Sequence, residues 1–381
     1  MNTEHRMAKH VLIAIGTRPE AIKMIPVVRA VRAAGLKVTV AVTGQHREML
    51  DQVFAAFGET SDIDLNLMTA GQTLPQLTAS VLTAMSETIA RVQPDVVLVH
   101  GDTTTAMASA LAAFYARVKI GHVEAGLRSF DLDRPWPEEF NRVAVDAIAD
   151  WMWAPTPSAA ENLSQEYGRS RRVDVTGNTG IDALLSMSER LDRDEALSAE
   201  VAGRYEYLDP SRRLVLVTGH RRESFGGGFE RICDALARLA ARGDVQLLYP
   251  VHLNPNVREV VRQRLGEAGG VFLIDPVGYV DMVYLMKRAT VLLTDSGGIQ
   301  EEGPALGKPV LVMRDVTERP EALATDVVRL VGTDIDKIVG EVGLLLDDPA
   351  AYQARARAVF PYGDGTAASQ IAAILSKDLQ Q

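Results

Sequence analysis

Two carboxylates follow apolar runs and a third follows the next loop, a placement that suits acid–base chemistry. Val96–Val99 leads into His100-Gly101-Asp102, Ile120–Val123 leads into Glu124, and the loop Pro135-Trp136-Pro137 leads into Glu138. The apolar runs read as buried parallel strands, and neighbouring parallel strands lie about 5 Å apart, so Asp102 and Glu124 can meet at one cleft edge. Close carboxylates resist joint ionisation, which separates their pKa values and supplies one base and one acid. Two of them have a plain alternative. Asp102 can cap a helix beginning at Thr103 or Thr104, and Glu138 can be the acidic first turn of a helix after Pro137. All three together, at carboxyl ends of one sheet, point to catalysis.

The cations and small-residue turns suggest what such a site would hold. Arg18 and Lys23 follow the first apolar run and suit a diphosphate, with solvated surface charge as the alternative. Asp295-Ser296-Gly297-Gly298 separates the strand-like Val291–Thr294 from a helix expected to start near Ile299. A turn without bulky side chains exposes backbone N–H groups, and the helix dipole adds partial positive charge there, which suits phosphate. Glu302, with Gln300 and Glu301, falls in the first helical turn and can reach a ribose hydroxyl. Arg319 lies in the charged loop Arg314–Glu321 after the strand Val310–Met313, at the sheet end where ligands of open α/β folds sit. His220 and His252 also follow strands and can donate to phosphate or base, with a buried structural histidine as the alternative for His252. Gly44-Gln45-His46-Arg47 serves equally as a ligand contact or as an ordinary loop. His100 and His122 have no cysteine or third histidine nearby, so they read as core or supporting histidines and no metal is expected.

The elements behind these residues alternate strand and helix from end to end, which calls for parallel α/β architecture. Expected strands include His10–Ile15, Lys37–Val42, Val96–Val99, Ile120–Val123 and Trp151–Ala154, then Leu214–Thr218, Val245–Tyr249, Val271–Ile274, Val291–Thr294 and Val310–Met313. The first half opens with VLIAIGTRPE and the second with LVLVTGHRRE, each a buried strand, a glycine, a cation and a glutamate. That correspondence suggests twin Rossmann-like domains facing one cleft, with Thr176–Gly180 as the hinge. At 381 residues the chain exceeds one core, so two domains are the prior. Neither half carries GxGxxG after its first strand, so no dinucleotide cofactor is expected. A net charge of −10 with no basic stripe argues against a nucleic-acid surface. The single Cys233 excludes internal disulfides and fits a reducing compartment. No run is long and apolar enough for membrane insertion, and the opening MNTEHRMAKH lacks a signal peptide's hydrophobic segment, so a cytoplasmic setting is expected.

Nine segments together resemble the non-hydrolysing UDP-N-acetylglucosamine 2-epimerases: GTRPEAIKM (16–24), TGQHREML (43–50), VHGDTTTAMASALAAFY (99–115), HVEAGLRS (122–129), RPWPEEFNR (134–142), VTGHRRESFG (217–226), YPVHLNPNV (249–257), the long stretch 292–321 and FPYGDG (360–365). The resemblance implies a two-domain fold of the glycosyltransferase-B type. An N-terminal domain would span 1–177, a UDP-binding domain 178–365, and a C-terminal helix within 366–381 would cross back to the first. It implies interconversion of UDP-GlcNAc and UDP-ManNAc without a cofactor, by elimination of UDP to 2-acetamidoglucal and re-addition. It also implies a homodimer and a role in cell-surface polysaccharide synthesis.

By that pattern Asp102, Glu124 and Glu138 are the catalytic carboxylates, assisted by His220. Arg18, Lys23 and Arg142 would assist leaving-group or sugar binding, Ser296, Gly297 and Gly298 hold phosphate, and Glu302 hold the ribose. Gln45, His46 and His252 match positions of a second, activating UDP-GlcNAc site in some members. The segment MTAGQTL (68–74) lacks the arginine of those members, and Met282 stands where the family places an aromatic near the uracil. A hydrolysing epimerase, a glycosyltransferase and a nucleotide-sugar sensor are the competing readings. A sensor should have lost one of the three carboxylates, and all are present.

Overall fold

Thr17 and Glu20 start the first helix with a reciprocal capping box, and Thr73 and Gln76 do the same for the third. In both, proline sits in the first turn, where its missing N–H costs nothing. The structure, a computed structural model, describes residues 9–44, 47–69, 71–168, 171–219, 227–251 and 254–380. These form two units: unit 1 runs to Ala183 and resumes at Tyr362, and unit 2 is Leu184–Pro361.

Unit 1 alternates β1 (His10–Ile15), α1 (Arg18–Ala33), β2 (Lys37–Val42), α2 (Arg47–Phe57), β3 (Ile63–Asp64), α3 (Leu74–Val92), β4 (Val96–His100), α4 (Thr104–Tyr115), β5 (Lys119–Val123), α5 (Glu138–Ile148), β6 (Trp151–Ala154), α6 (Pro157–Tyr167) and β7 (Val173–Val175). Its sheet has the order β3-β2-β1-β4-β5-β6-β7, every pair parallel. Strands buried on both faces explain the uninterrupted apolar runs. Trp153, fully buried, occupies the space that the missing Cβ of Gly121 leaves; a Cβ there would lie 2.6 Å from it.

The unit boundary falls within α7 (Thr179–Arg193). Unit 2 continues with α8 (Glu195–Gly203), β8 (Arg213–Thr218), α9 (Gly227–Ala240), β9 (Val245–Pro250), α10 (Pro255–Leu265), β10 (Val271–Ile274), α11 (Tyr279–Arg288), β11 (Val291–Thr294), α12 (Gly297–Ala305), β12 (Val310–Val312), α13 (Pro320–Leu323), β13 (Val328–Leu330), α14 (Ile335–Asp347) and α15 (Pro349–Arg355). Its parallel sheet runs β10-β9-β8-β11-β12-β13. Both sheets reverse direction of growth beside their first strand, at β1/β4 and at β8/β11. Crevices form at such points because the flanking crossovers leave on opposite faces.

The last helix, α16 (Ala367–Leu379), belongs to unit 1 and packs on α1. Asp378 near its end accepts from the Trp151 indole N–H at 2.7 Å and pairs with Arg172. At its start, Asp182 Oδ1 accepts the Ala368 N–H at 2.8 Å. Burial pushes the Asp182 carboxyl up to about 6, although the Ala368 and Ala367 N–H groups pull the other way. The folded chain therefore keeps a proton that the unfolded chain loses near its ordinary pKa of about 4. Stability from this group falls as pH rises from about 4 to about 6 and is flat above. Asp182→Asn keeps an acceptor for Ala368, so it is expected to stabilise the protein by about 1–3 kcal/mol at pH 7.5 and by much less at pH 4. Denaturation midpoints at the two pH values check this, and equal wild-type and variant midpoints at pH 7.5 would contradict it.

Candidate active site

The two turns at the β1/β4 reversal are joined through one buried carboxylate. Glu20 Oε2 accepts the N–H groups of Gly16 and Thr17 at 3.0 and 2.6 Å, and Glu20 Oε1 accepts the Thr103 hydroxyl at 2.7 Å. Burial raises the pKa of this carboxyl, against the hydrogen bonds from Thr103 and Thr17. Gly16 allows the close approach, since a Cβ there would lie 2.3 Å from Thr105 Oγ1. Glu20 thereby sets both the turn that carries Arg18 and the turn that carries Asp102. The T-x-x-E spacing is a local helix-start signal, but nothing local shows the bond to Thr103.

Asp102 is not the helix cap. Thr103 is, its hydroxyl oxygen accepting the Ala106 N–H at 3.0 Å. Asp102 is thus left to pair with Arg142, Nη2 to Oδ2 2.6 Å, while its carbonyl accepts the Asn141 side-chain amide at 2.9 Å. Glu124, in the left-handed region at φ 65°, pairs with Lys23. His100 Nε2 approaches the same Glu124 oxygen at 3.6 Å, a charge contact longer than a hydrogen bond. Burial alone would raise Glu124, yet Lys23 and then His100 outweigh it and hold its carboxyl well below the usual range. The shared-proton pair expected from strand spacing is therefore not what forms. Each carboxylate has its own cation, because the turns after β4 and β5 aim the two side chains at different helices, α5 and α1.

Glu138 is the first residue of α5, half-buried, after Pro137 at the N-cap. It lies one helical turn before Arg142, hence on the same face. Its neighbour Glu139 is buried and accepts the Ser129 and Phe130 N–H groups at 3.0 Å each, and Arg142 Nη1 lies 3.5 Å from its other oxygen. Asp146 continues that face and is fully buried. The i, i+4, i+8 spacing of Glu138, Arg142 and Asp146 was the available signal for Asp146, which sequence reading missed.

In unit 2, α12 begins at Gly297, two residues before the expected start, with Ser296 at its N-cap. The glycine pair reads as loop from propensity, but both residues are helical. Gly297 leaves room for Arg319, whose Nη2 would lie 3.3 Å from a Cβ there. Arg319 pairs with Glu301 of α12. Thr317 donates to Gln300 Oε1 at 2.6 Å, and Gln300 Nε2 donates to the Ser296 carbonyl at 3.2 Å. Arg314 holds Glu318 at 2.7 Å. These contacts seat the charged loop against the start of α12, so Ser296, Gly297, Gly298 and Arg319 gather at one place. Glu302 lies one turn further along α12, where its charge, after burial, adds to the rise of the Tyr279 hydroxyl pKa. Gln45, His46, His220 and His252 lie outside the described residues.

Two Rossmann-like parallel sheets, each with polar and charged side chains gathered at its reversal point, define an α/β protein of the glycosyltransferase-B type. A sequence model of the family described as UDP-N-acetylglucosamine 2-epimerase matches residues 29–376. The chain is 54% identical over 363 residues to the UDP-N-acetylglucosamine 2-epimerase of Escherichia coli K12, covering 95% of this chain and 96% of that one. It superposes with TM-score 0.89 and 42% identity on a UDP-GlcNAc 2-epimerase from Neisseria meningitidis bound to UDP-GlcNAc, covering 97% of this chain and 100% of that one. With TM-score 0.80 and 31% identity it matches the Methanocaldococcus jannaschii UDP-GlcNAc 2-epimerase in complex with UDP-GlcNAc and UDP, over 97% and 99% of the two chains. The chain belongs to the UDP-N-acetylglucosamine 2-epimerase family.

Proposed function

We propose that this protein interconverts UDP-GlcNAc and UDP-ManNAc without releasing free sugar. One carboxylate removes the C2 proton as the C1–O bond to the diphosphate breaks, and C1=C2 forms to give 2-acetamidoglucal and UDP. Re-addition delivers a proton to the opposite face of C2 while a UDP oxygen rebonds to C1. Two acid–base groups are needed because one cannot serve both faces. Asp102, Glu124 and Glu138 supply them. The arrangement that carries this reading is the pair Asp102 and Glu124, each with a separate cation, at the carboxyl ends of the neighbouring strands β4 and β5.

The C2 proton is weakly acidic, so departure of the diphosphate must contribute much of the driving force, and preplaced positive charge stabilises it. Arg18, Lys23 and Arg142 provide that charge from unit 1. Arg319 and the start of α12 at Ser296, Gly297 and Gly298 would hold phosphate as well, with Glu302 on the ribose. His220 and His252 join them on the strength of their motifs. Gln45 and His46 belong to the same reading as contacts of an activating UDP-GlcNAc. The working form is a cytoplasmic homodimer that supplies N-acetylmannosamine units for polysaccharide. No helix among the described residues is long and apolar enough to cross a membrane.

Incubation with UDP-GlcNAc in D₂O, followed by proton NMR, tests the proposal. Loss of the C2 proton signal with appearance of UDP-ManNAc is the expected result. Free ManNAc would indicate a hydrolysing enzyme, and an unchanged sugar a transferase or a sensor.

A further inference from the structure

We propose that His122 is held as an imidazolium in the folded protein and is the positioning residue that sets the turns bearing Asp102 and Glu124. The second half of this inference rests on the proposed epimerase reaction; the first does not. His122 lies on β5 with its side chain fully buried. Its Nε2 is 2.8 Å from the Gly101 carbonyl and its Nδ1 is 2.6 Å from Asp146 Oδ1. A carbonyl can only accept, and so can a carboxylate, so each ring nitrogen must carry a proton to satisfy both.

The charges around the ring favour the same state. Asp146 Oδ2 accepts the Gly126 N–H at 3.2 Å and contacts Arg128 Nη1 at 2.8 Å. Arg128, its side chain fully buried, also clasps Glu166 through Nε and Nη2, each at 2.7 Å. With His122 protonated, the cluster has two positive and two negative charges. A neutral ring would leave it with uncompensated negative charge and turn a ring lone pair toward an acceptor oxygen, both costly where water is excluded. Burial raises the Asp146 carboxyl, but His122 and then Arg128 lower it more, so its pKa ends below the ordinary value.

The geometric consequence reaches the reacting groups. The Gly101 N–H donates to the Val123 carbonyl at 2.9 Å while the Gly101 carbonyl accepts from His122. The peptide entering Asp102 is thus fixed against β5 immediately before Glu124. On its other side, Asp146 holds the Gly126 N–H, two residues beyond Glu124, and is itself part of the α5 face that carries Glu138 and Arg142. One ring therefore joins the supports of all three carboxylates. Misplacing reacting groups by about 1 Å can cost about 10²-fold in rate, which makes this support kinetically visible.

Two-bond proton–nitrogen correlation spectra of the ¹⁵N-histidine-labelled protein at neutral pH test the charge state, with His122→Gln identifying the signal. Both ring nitrogens are expected in the protonated range, and a bare nitrogen in the wild-type spectrum would overturn the proposal. Gln can keep the donor to Gly101, whereas Asn can reach only toward Asp146. His122→Asn is therefore expected to lower kcat about 10²-fold with KM for UDP-GlcNAc within about threefold, and His122→Gln to recover about 10-fold of that loss. Equal losses in both variants, or a change confined to KM, would overturn the positioning role. Wild-type protein that leaves UDP-GlcNAc unchanged would refute the epimerase reading instead, and the nitrogen spectrum would still decide the state of His122.

Discussion

Replacing Glu124 by glutamine is expected to lower kcat by about 10³-fold, the scale of losing a positioned acid or base. The substitution keeps the shape of the side chain but removes its charge, leaving Lys23 without the carboxylate it pairs with. C2 deuterium exchange should fall with turnover, and kcat/KM should drop by the same factor in both directions, since a catalyst cannot move the equilibrium. A companion variant reads the electrostatics. Lys23 and His100 hold Glu124 below the usual carboxylate range against its burial. If Glu124 must be ionised, the acid limb of the kcat/KM–pH profile lies below that range in the wild type. Lys23→Met removes the larger of the opposing charges, burial gains weight, and the limb moves to higher pH. Glu124→Gln with wild-type turnover would remove this residue from the chemistry.

Gly126→Ala is expected to destabilise the protein by about 3–5 kcal/mol, at the upper end for a single substitution. Gly126 stands at φ 84°, where a side chain is already strained, and an added Cβ would lie 2.3 Å from the Ala159 carbonyl and 2.8 Å from Leu163. Relief by rotation is blocked because both polar groups of the residue are engaged. Its N–H goes to Asp146, and its carbonyl accepts the Asn162 amide at 3.0 Å. Chemical denaturation followed by circular dichroism measures the loss. A midpoint indistinguishable from wild type would show that α6 can move away freely, contrary to the packing described.

Much of this architecture was readable because its strands are short apolar runs, the central ones buried on both faces. His10–Ile15, Lys37–Val42, Trp151–Ala154, Val271–Ile274 and Val291–Thr294 form the strands their apolar runs predict, with the same ends. The edge strands Ile63–Asp64 and Val328–Leu330 were not legible: two or three residues carry too little alternation to be distinguished from loop. The start of α12 was misplaced for a related reason. Gly297 and Gly298 are poor helix formers, and only the engagement of Gln300, Glu301 and the loop 314–319 shows where the helix begins.

Local sequence sufficed to show which residue types stand at strand ends and in the turns and helices that follow them: carboxylates at 102, 124 and 138, cations at 18, 23 and 142, and glycines at 297 and 298. That follows from local rules, since burial periodicity and turn chemistry act over a few residues. Only the tertiary structure decided the pairings, Lys23 with Glu124, Arg142 with Asp102, Glu20 with Thr103 and His122 with Asp146. Those bonds join residues between 24 and 101 positions apart, and strand order, which brings them together, is set by packing of whole elements rather than by any stretch of chain.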